Sequence, residues 1–220
     1  MGSITRSLSN NITTGGVILP AGITNDSVSA VTSFANAANP ATLVLISTQT
    51  ASNSATISFT TGLDSTYDEY IFKFIDCHPA TDNVKFQFNM STDSGSNYNV
   101  TKTSTAFYAY HNESDTETGL AYTAGEDLAQ STAFQNLTPN QGNDNDQSNS
   151  GTLTIFNPSS TTYVKHFIAN FHSADQDNYA VNWFFAGYGN TTSAVNAIQF
   201  KYSSGNIDDG VIKMYGVKKS

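Results

Sequence analysis

From residue 43 to the end of the chain, apolar and polar positions alternate with a period of two, the spacing of a strand buried on one face. Val84-Lys85-Phe86-Gln87-Phe88-Asn89-Met90 alternates without a fault, and Glu69 to Asp76 puts Tyr70, Phe72 and Phe74 on one side. Shorter runs with the same character are Leu43 to Ile46, Ala55 to Thr60 and Ala106 to Tyr110. Further strands are predicted at Gly151 to Phe156, Val164 to Phe171, Tyr179 to Ala186, Ala197 to Tyr202 and Gly210 to Val217. Asp93-Ser94-Gly95-Ser96-Asn97 reads as a turn, and Ile207-Asp208-Asp209-Gly210 as a second turn between the last two strands, because Asp-Gly supplies positive φ. The stretch from His111 to Ser150 is mostly polar, with a second half almost free of apolar atoms, and is expected to be a long surface loop, the elements around Leu128 and Phe134 being left open. About nine short strands separated by turns predict an all-β fold, a jelly-roll-like antiparallel β-sandwich.

The first forty residues follow no such period. Their apolar residues come in ones and threes between turn sequences such as Thr14-Gly15-Gly16 and Pro20-Ala21-Gly22. Val28, Val31 and Phe34 recur every third residue, which suggests a short helix within Ser27 to Ala38, capped by Asn25-Asp26-Ser27 and stopped by Pro40. A segment like this cannot bury its own core. Residues 1–42 are therefore read as an extended N-terminal attachment arm, with Ile4, Leu8, Ile12, Val17, Ile18 and Leu19 as its partner-binding residues. Residues 43–220 are the sandwich domain.

Composition narrows the classes. Ser, Thr and Asn number 26, 28 and 23 among 220 residues, while charged residues are only 12%, so the polar surface is largely uncharged. The net charge of −9 argues against a phosphate backbone as partner, and nothing approaches a membrane span. The opening Met1 to Arg6 has no apolar signal-peptide core, and the single cysteine, Cys77, rules out an intrachain disulfide. Both fit synthesis in a reducing cytoplasm.

Candidate chemistry is sparse. His166 and His172 share a strand face opposite Phe167, Ala169 and Phe171, about 20 Å apart at the strand rise, too far to share a metal. Cys77 beside His78 is read as a buried structural thiol, because neighbours on a strand point to opposite faces. The Asp/Asn-rich runs near Asp93 and Asn143 to Asp146 offer oxygen ligands without the acidic density of a calcium loop. Glu113, Glu117 and Glu126 lie in loop sequence, and paired catalytic carboxylates are not evident. No catalytic residue, cofactor site or metal site is assigned, and the chain is read as a non-enzyme. Trp183, with Tyr179, Tyr188 and Tyr202, offers rings for a sugar-stacking platform, although Val181, Trp183 and Phe185 share the parity of a core strand. Tyr108 and Tyr110, next to the long polar stretch, are the better exposed patch. Tyr108, Tyr110 and Trp183 are the candidate glycan contacts.

Certain stretches carry a resemblance. Ser65 to Phe74, His78-Pro79-Ala80-Thr81, Phe86 to Tyr98, and the ending Phe200-Lys201-Tyr202-Ser203-Ser204-Gly205-Asn206-Ile207 into Gly210 to Val217 resemble a virion-protein module of tailed, notably marine, bacteriophages. The likeness covers roughly residues 43 to 218, and Ile4-Thr5-Arg6-Ser7-Leu8 is similar to the arm of such proteins. It implies a non-enzymatic virion component, a head decoration, cement or fibre protein or a tail-fibre domain, made in the host bacterial cytoplasm. It implies as partners other virion proteins, capsid or tail, and further copies of itself as a homo-oligomer. The alternative is a tail-fibre-type adhesin that binds a host surface carbohydrate. No functional residue comes with the resemblance.

Overall fold

The computed structural model describes residues 42–218, together with the pairing of Ile12–Thr13 and Gly16–Val17. The chain divides into two compact units, Met1–Pro40 and Ala41–Ser220. In the first, β1 (Ile12–Thr13) pairs antiparallel with β2 (Gly16–Val17), Ile12 opposite Val17. The helix expected within Ser27 to Ala38 and the contacts expected of Ile4, Leu8, Ile18 and Leu19 lie outside the described residues, as do the side chains of Ile12 and Val17.

The second unit is all β. In chain order its strands are β3 (Leu43–Ser54), β4 (Ile57–Phe59), β5 (Glu69–Pro79), β6 (Val84–Ser91), β7 (Lys102–Asn112), β8 (Thr118–Tyr122), β9 (Gln135–Gln141), β10 (Asn149–Phe156), β11 (Lys165–Ala174), β12 (Tyr179–Gly189), β13 (Ala197–Tyr202) and β14 (Ile207–Val217). They form two antiparallel sheets, of order β3-β14-β5-β10-β11-β12-β7-β8 and β4-β13-β6-β9. The pairings nest. β3 pairs with β14, β4 with β13, β5 with β10 and β6 with β9, so the outermost strands of the sequence enclose the inner ones. Alternate pairs fall in alternate sheets, which is a chain folded back on itself and then rolled: a jelly roll. Two hairpins interrupt this nest. β7–β8 lies inside the connection from β6 to β9, and β11–β12 inside that from β10 to β13, and both add to the larger sheet.

The alternation read from the sequence fills the space between the sheets. Phe72 and Phe74 from the large sheet meet Phe86 and Phe200 from the small one, all at most 2% exposed. Phe74 sits 4.9 Å from both Phe171 and Phe200, and Phe59 packs edge-on to Phe72 at 5.4 Å. Each such ring removed to alanine would cost about 3–5 kcal/mol, which makes this cluster the main source of stability. His166 and His172 are exposed on the outer face while Phe167, Ala169 and Phe171 are buried, as their parity predicted.

Two expectations need correction. Residues 207–210 do not form a turn. They belong to β14, and the chain reverses instead at Ser203–Asn206, where Gly205 has φ +70°. Gly210 (φ +132°) serves a bulge, since the register between β14 and β5 shifts on both sides of Asp209. A Cβ there would lie 2.8 Å from the Cys77 Cα, so only glycine fits. Nor is the stretch from His111 to Ser150 one long loop, because it contains β8, β9 and the start of β10. β9 has no clear apolar alternation because its buried positions mix Leu137 and Pro139 with polar residues. Gln135, Thr138 and Gln141 are all 0% exposed. Gln135 donates to the carbonyls of Glu126 (2.9 Å) and Asn136 (3.0 Å) and accepts from the Ser104 hydroxyl at 2.6 Å. Hydrogen bonding by Gln135 and burial of Leu137 together hold this edge strand in the core.

One buried charge is conspicuous. Lys102, at the start of β7, is 0% exposed, and its Nζ donates to Asn89 Oδ1 at 2.6 Å and to the Val100 carbonyl at 2.8 Å. Both partners are neutral. Removal from water therefore dominates and lowers the ammonium pKa to about 7. A folded-state pKa below the unfolded value means that the unfolded chain binds more protons between pH 7 and about 10, so stability rises with pH across that window. The melting temperature should climb between pH 7.5 and 9.5, and Lys102→Met should abolish that climb while leaving Asn89 Oδ1 bonded to the Met90 amide. Parallel melting curves of the two proteins check this, and equal pH slopes would contradict it.

Candidate functional site

The two sheets differ in width, and the site lies where the narrower one ends. β9 is the edge of the four-stranded sheet and packs over β11 and the near side of β12. Beyond it the inner face of β12, β7 and β8 opens into a groove of about 340 Å³. Register sets its floor: Trp183 on β12 is opposite Tyr108 on β7, and Val181 is opposite Tyr110. Pro139 and Asn140 of β9 form one side, and Thr123 and Glu126 of the segment after β8 contribute to another. Glu117, Asp175, Asp177 and Tyr179 complete the lining.

The rings form a continuous stack. Tyr108 lies on Trp183 at 4.6 Å with planes 28° apart, and Tyr110 follows at 5.6 Å and 27°. Tyr179 flanks Tyr110 at 5.8 Å. Tyr108, Tyr110 and Tyr179 are half-buried, so each keeps surface available to a ligand. Trp183 is buried at 5% exposure and backs Tyr108, with Phe185 behind it at 6.1 Å. Its Nε1–H is buried without a hydrogen-bond partner, at a cost of about 1–3 kcal/mol that phenylalanine would avoid.

Local chemistry holds these rings in place. Gly119 on β8 is the cross-strand neighbour of Tyr110, and a Cβ at that position would come within 2.6 Å of the Tyr110 ring. Its φ is not in the left-handed region, so the requirement for glycine comes from the tyrosine laid over it. The Tyr179 hydroxyl donates to Glu117 Oε2 at 2.7 Å, which pushes the tyrosine pKa up. Asp175 Oδ1 accepts the amides of Asp177 (3.0 Å) and Tyr179 (2.9 Å), fixing the hairpin that carries Tyr179, and burial raises its own pKa. Glu126 accepts from Lys85 Nζ at 2.8 and 3.1 Å and from Asn136 Nδ2 at 2.6 Å, so the segment after β8 is tied to the small sheet.

The three predicted contacts thus converge, but not as expected in every respect. Tyr108 and Tyr110 are accessible, whereas Trp183 is a supporting core ring rather than an exposed one. The companions read for Trp183 also change. Tyr202 is 2% exposed and bonds the Cys77 carbonyl at 3.0 Å, and Tyr188 packs near His166, its parity being that of the opposite face, so only Tyr179 of the three reaches the groove. Glu117, Asp175 and Asp177 gave no signal as a set, because two separate connections, β7 to β8 and β11 to β12, bring them together. Cys77 is fully buried and its thiol pKa is pushed up to about 12, while the His78 ring contacts the Asp144 carbonyl and Asp208, so the two are not a nucleophilic pair. The Asp93 carboxylate is used by its own turn, accepting from the Ser91 hydroxyl and from the backbone and side chain of Asn97, which lowers its pKa to about 2.

Three other surface depressions have similar volumes, 330 to 400 Å³, so size does not single out the groove. The ring stack does. No family model matches the chain, and no curated protein matches it.

Proposed function

We propose that the body of this protein is a carbohydrate-recognition module carried by a non-enzymatic structural component of a tailed-phage particle. The observation that carries the carbohydrate reading is the stack Trp183–Tyr108–Tyr110, with Tyr179 beside it, set in a groove that four carboxylates also line. A pyranose presents an apolar C–H face and a rim of hydroxyls. Half-buried rings match the first and carboxylates the second. Trp183, whose buried N–H has no partner, stacks directly behind the Tyr108 ring. The lining acid that reaches the small sheet, Glu126, is held as an acceptor by Lys85 and Asn136, which suits binding better than proton donation to a leaving group.

The particle assignment rests on the resemblance of residues 43–218 and of the opening residues to a virion module. In this reading residues 1–42 dock on other virion proteins through Ile4, Leu8, Ile12, Val17, Ile18 and Leu19, and the protein is made in the bacterial cytoplasm and incorporated in several copies as decoration, cement or fibre. On this reading the apolar residues of the arm gain burial from the partner they dock on.

Two experiments test these proposals separately. On a glycan array, the intact protein should bind at least one surface glycan. Tyr108→Ala or Tyr110→Ala should weaken it about tenfold, near 1.4 kcal/mol, without lowering the melting temperature by more than a few degrees. Gly119→Val should reproduce the loss by displacing Tyr110 while leaving every lining residue intact. Binding that survives all three variants would remove the groove from the interaction. Deleting residues 1–40 should leave a folded, soluble sandwich that no longer joins particles in an infected culture, and normal incorporation of the truncated chain would refute the docking arm.

A further inference from the structure

The acids around the ring stack say more about the ligand than the rings do. Four carboxylates line the groove, Glu117, Glu126, Asp175 and Asp177, and among the described residues no lysine, arginine or histidine lines it. Lys85, which reaches Glu126 from the small sheet, is bonded to both of its oxygens. Asp175 is 7% exposed and spends Oδ1 on two backbone amides. Glu117 and Asp177 are exposed, and Glu117 uses one oxygen for the Tyr179 hydroxyl. Acceptors are therefore abundant next to the rings and positive charge is absent from the lining.

We infer that the groove selects glycans without acidic groups, neutral or amino sugars, and excludes uronates and sialylated chains. This deepens the carbohydrate reading and rests on it. A carboxylate accepts hydrogen bonds from paired hydroxyls or from an ammonium group, both of which such sugars supply. An acidic sugar brought onto Tyr108 and Tyr110 would meet like charge from several sides with no cation free to compensate, and like-charge juxtaposition is strongly unfavourable at a partly desolvated surface. The same chain has a net charge of −9, so the long-range field opposes acidic polymers before contact.

The test uses the full-length protein against immobilised neutral oligosaccharides, chitosan oligomers, polygalacturonate and sialylated glycans, at low salt and at 0.5 M salt. Neutral and amino sugars should bind at least tenfold more tightly than the acidic ones at low salt. The gap should shrink at high salt, because screening acts over about 3–10 Å in that range. The double variant Glu117→Gln/Asp177→Asn should narrow the gap at low salt chiefly by improving acidic binding, with melting temperature unchanged. Acidic glycans that bind as well as neutral ones, and lose binding on Tyr110→Ala, would overturn the charge selection while keeping the groove. Binding to no glycan of any class would overturn the groove itself, and the selection with it.

Discussion

An inequality between the sheets governs the body of this protein. The nested strand pairs of the jelly roll make two sheets of four, and each inner face covers the other. The two inserted hairpins then double one sheet and leave the other unchanged. The inner face of β12 and β7 reaches past the edge of the small sheet, yet it carries the alternation of a covered face: Val181, Trp183 and Phe185 on β12, and Ala106, Tyr108 and Tyr110 on β7. Apolar area left in water costs roughly 25 cal/mol per Å², so such a face must be roofed or made amphipathic. Both solutions are present. Near the junction the face is roofed by β9 and buries Trp183 and Phe185. Further out it ends in tyrosines, whose rings pack together while their hydroxyls stay wet, and this transition is the groove.

Roofing with few apolar residues demands a polar interior that is well bonded. Asn89 shows how the chain manages this. It is fully buried, its Nδ2 donates to the carbonyls of Tyr98 (2.7 Å) and Thr132 (2.9 Å), and its Oδ1 accepts from the Met90 amide and Lys102. One side chain thereby ties β6, the turn after it, the segment before β9 and β7. Asn149 acts similarly at the other end of β9, donating to the Cys77 carbonyl at 3.1 Å and contacting the Tyr202 hydroxyl at 2.8 Å. Short neutral amides can do this at low cost because each carries two donors and an acceptor and no charge to desolvate. Two lysines are buried in the same way, Lys102 and Lys165, each bonded to neutral partners and each with its pKa lowered by burial.

How far the sequence reveals this follows from which forces leave a periodic trace. Hydrophobic burial does. Val84 to Met90 and Tyr70 to Phe74 point inward as their alternation requires, and the two-layer class follows from counting such runs. Hydrogen-bonded burial does not, because Gln135 and Gln141 look like any polar connector until their partners are placed, which is why a loop was expected where β9 lies. Asp-Gly at 209–210 misled for a related reason: positive φ serves a bulge as readily as a turn. In the site, the local pair Tyr108 and Tyr110 was legible, and the parity of Trp183 correctly warned of a core role. The carboxylates were not, since Glu117, Glu126, Asp175 and Asp177 converge only through the insertion of both hairpins into one sheet.

A single groove of this size also constrains how the proposed binding would work. About 340 Å³ is at the small end of the range for ligand sites, and it is open along one side, so it engages one or two sugar rings rather than burying a long chain. Contacts confined to two or three half-buried tyrosines and a few acceptors leave little surplus after the cost of ordering a flexible sugar, which places one groove in the weak-binding regime. Weakness is tolerable only when many grooves act together. If copies are presented on one particle, each later contact is intramolecular, and avidity can exceed the single-site affinity by about 10²–10⁴ without any new residue. The low charge density of the chain fits that arrangement, because closely spaced copies repel less when their surfaces are dominated by Asn, Ser and Thr. Were the proposed arm to hold copies on one particle, the spacing of those copies would set how much avidity the groove could gain.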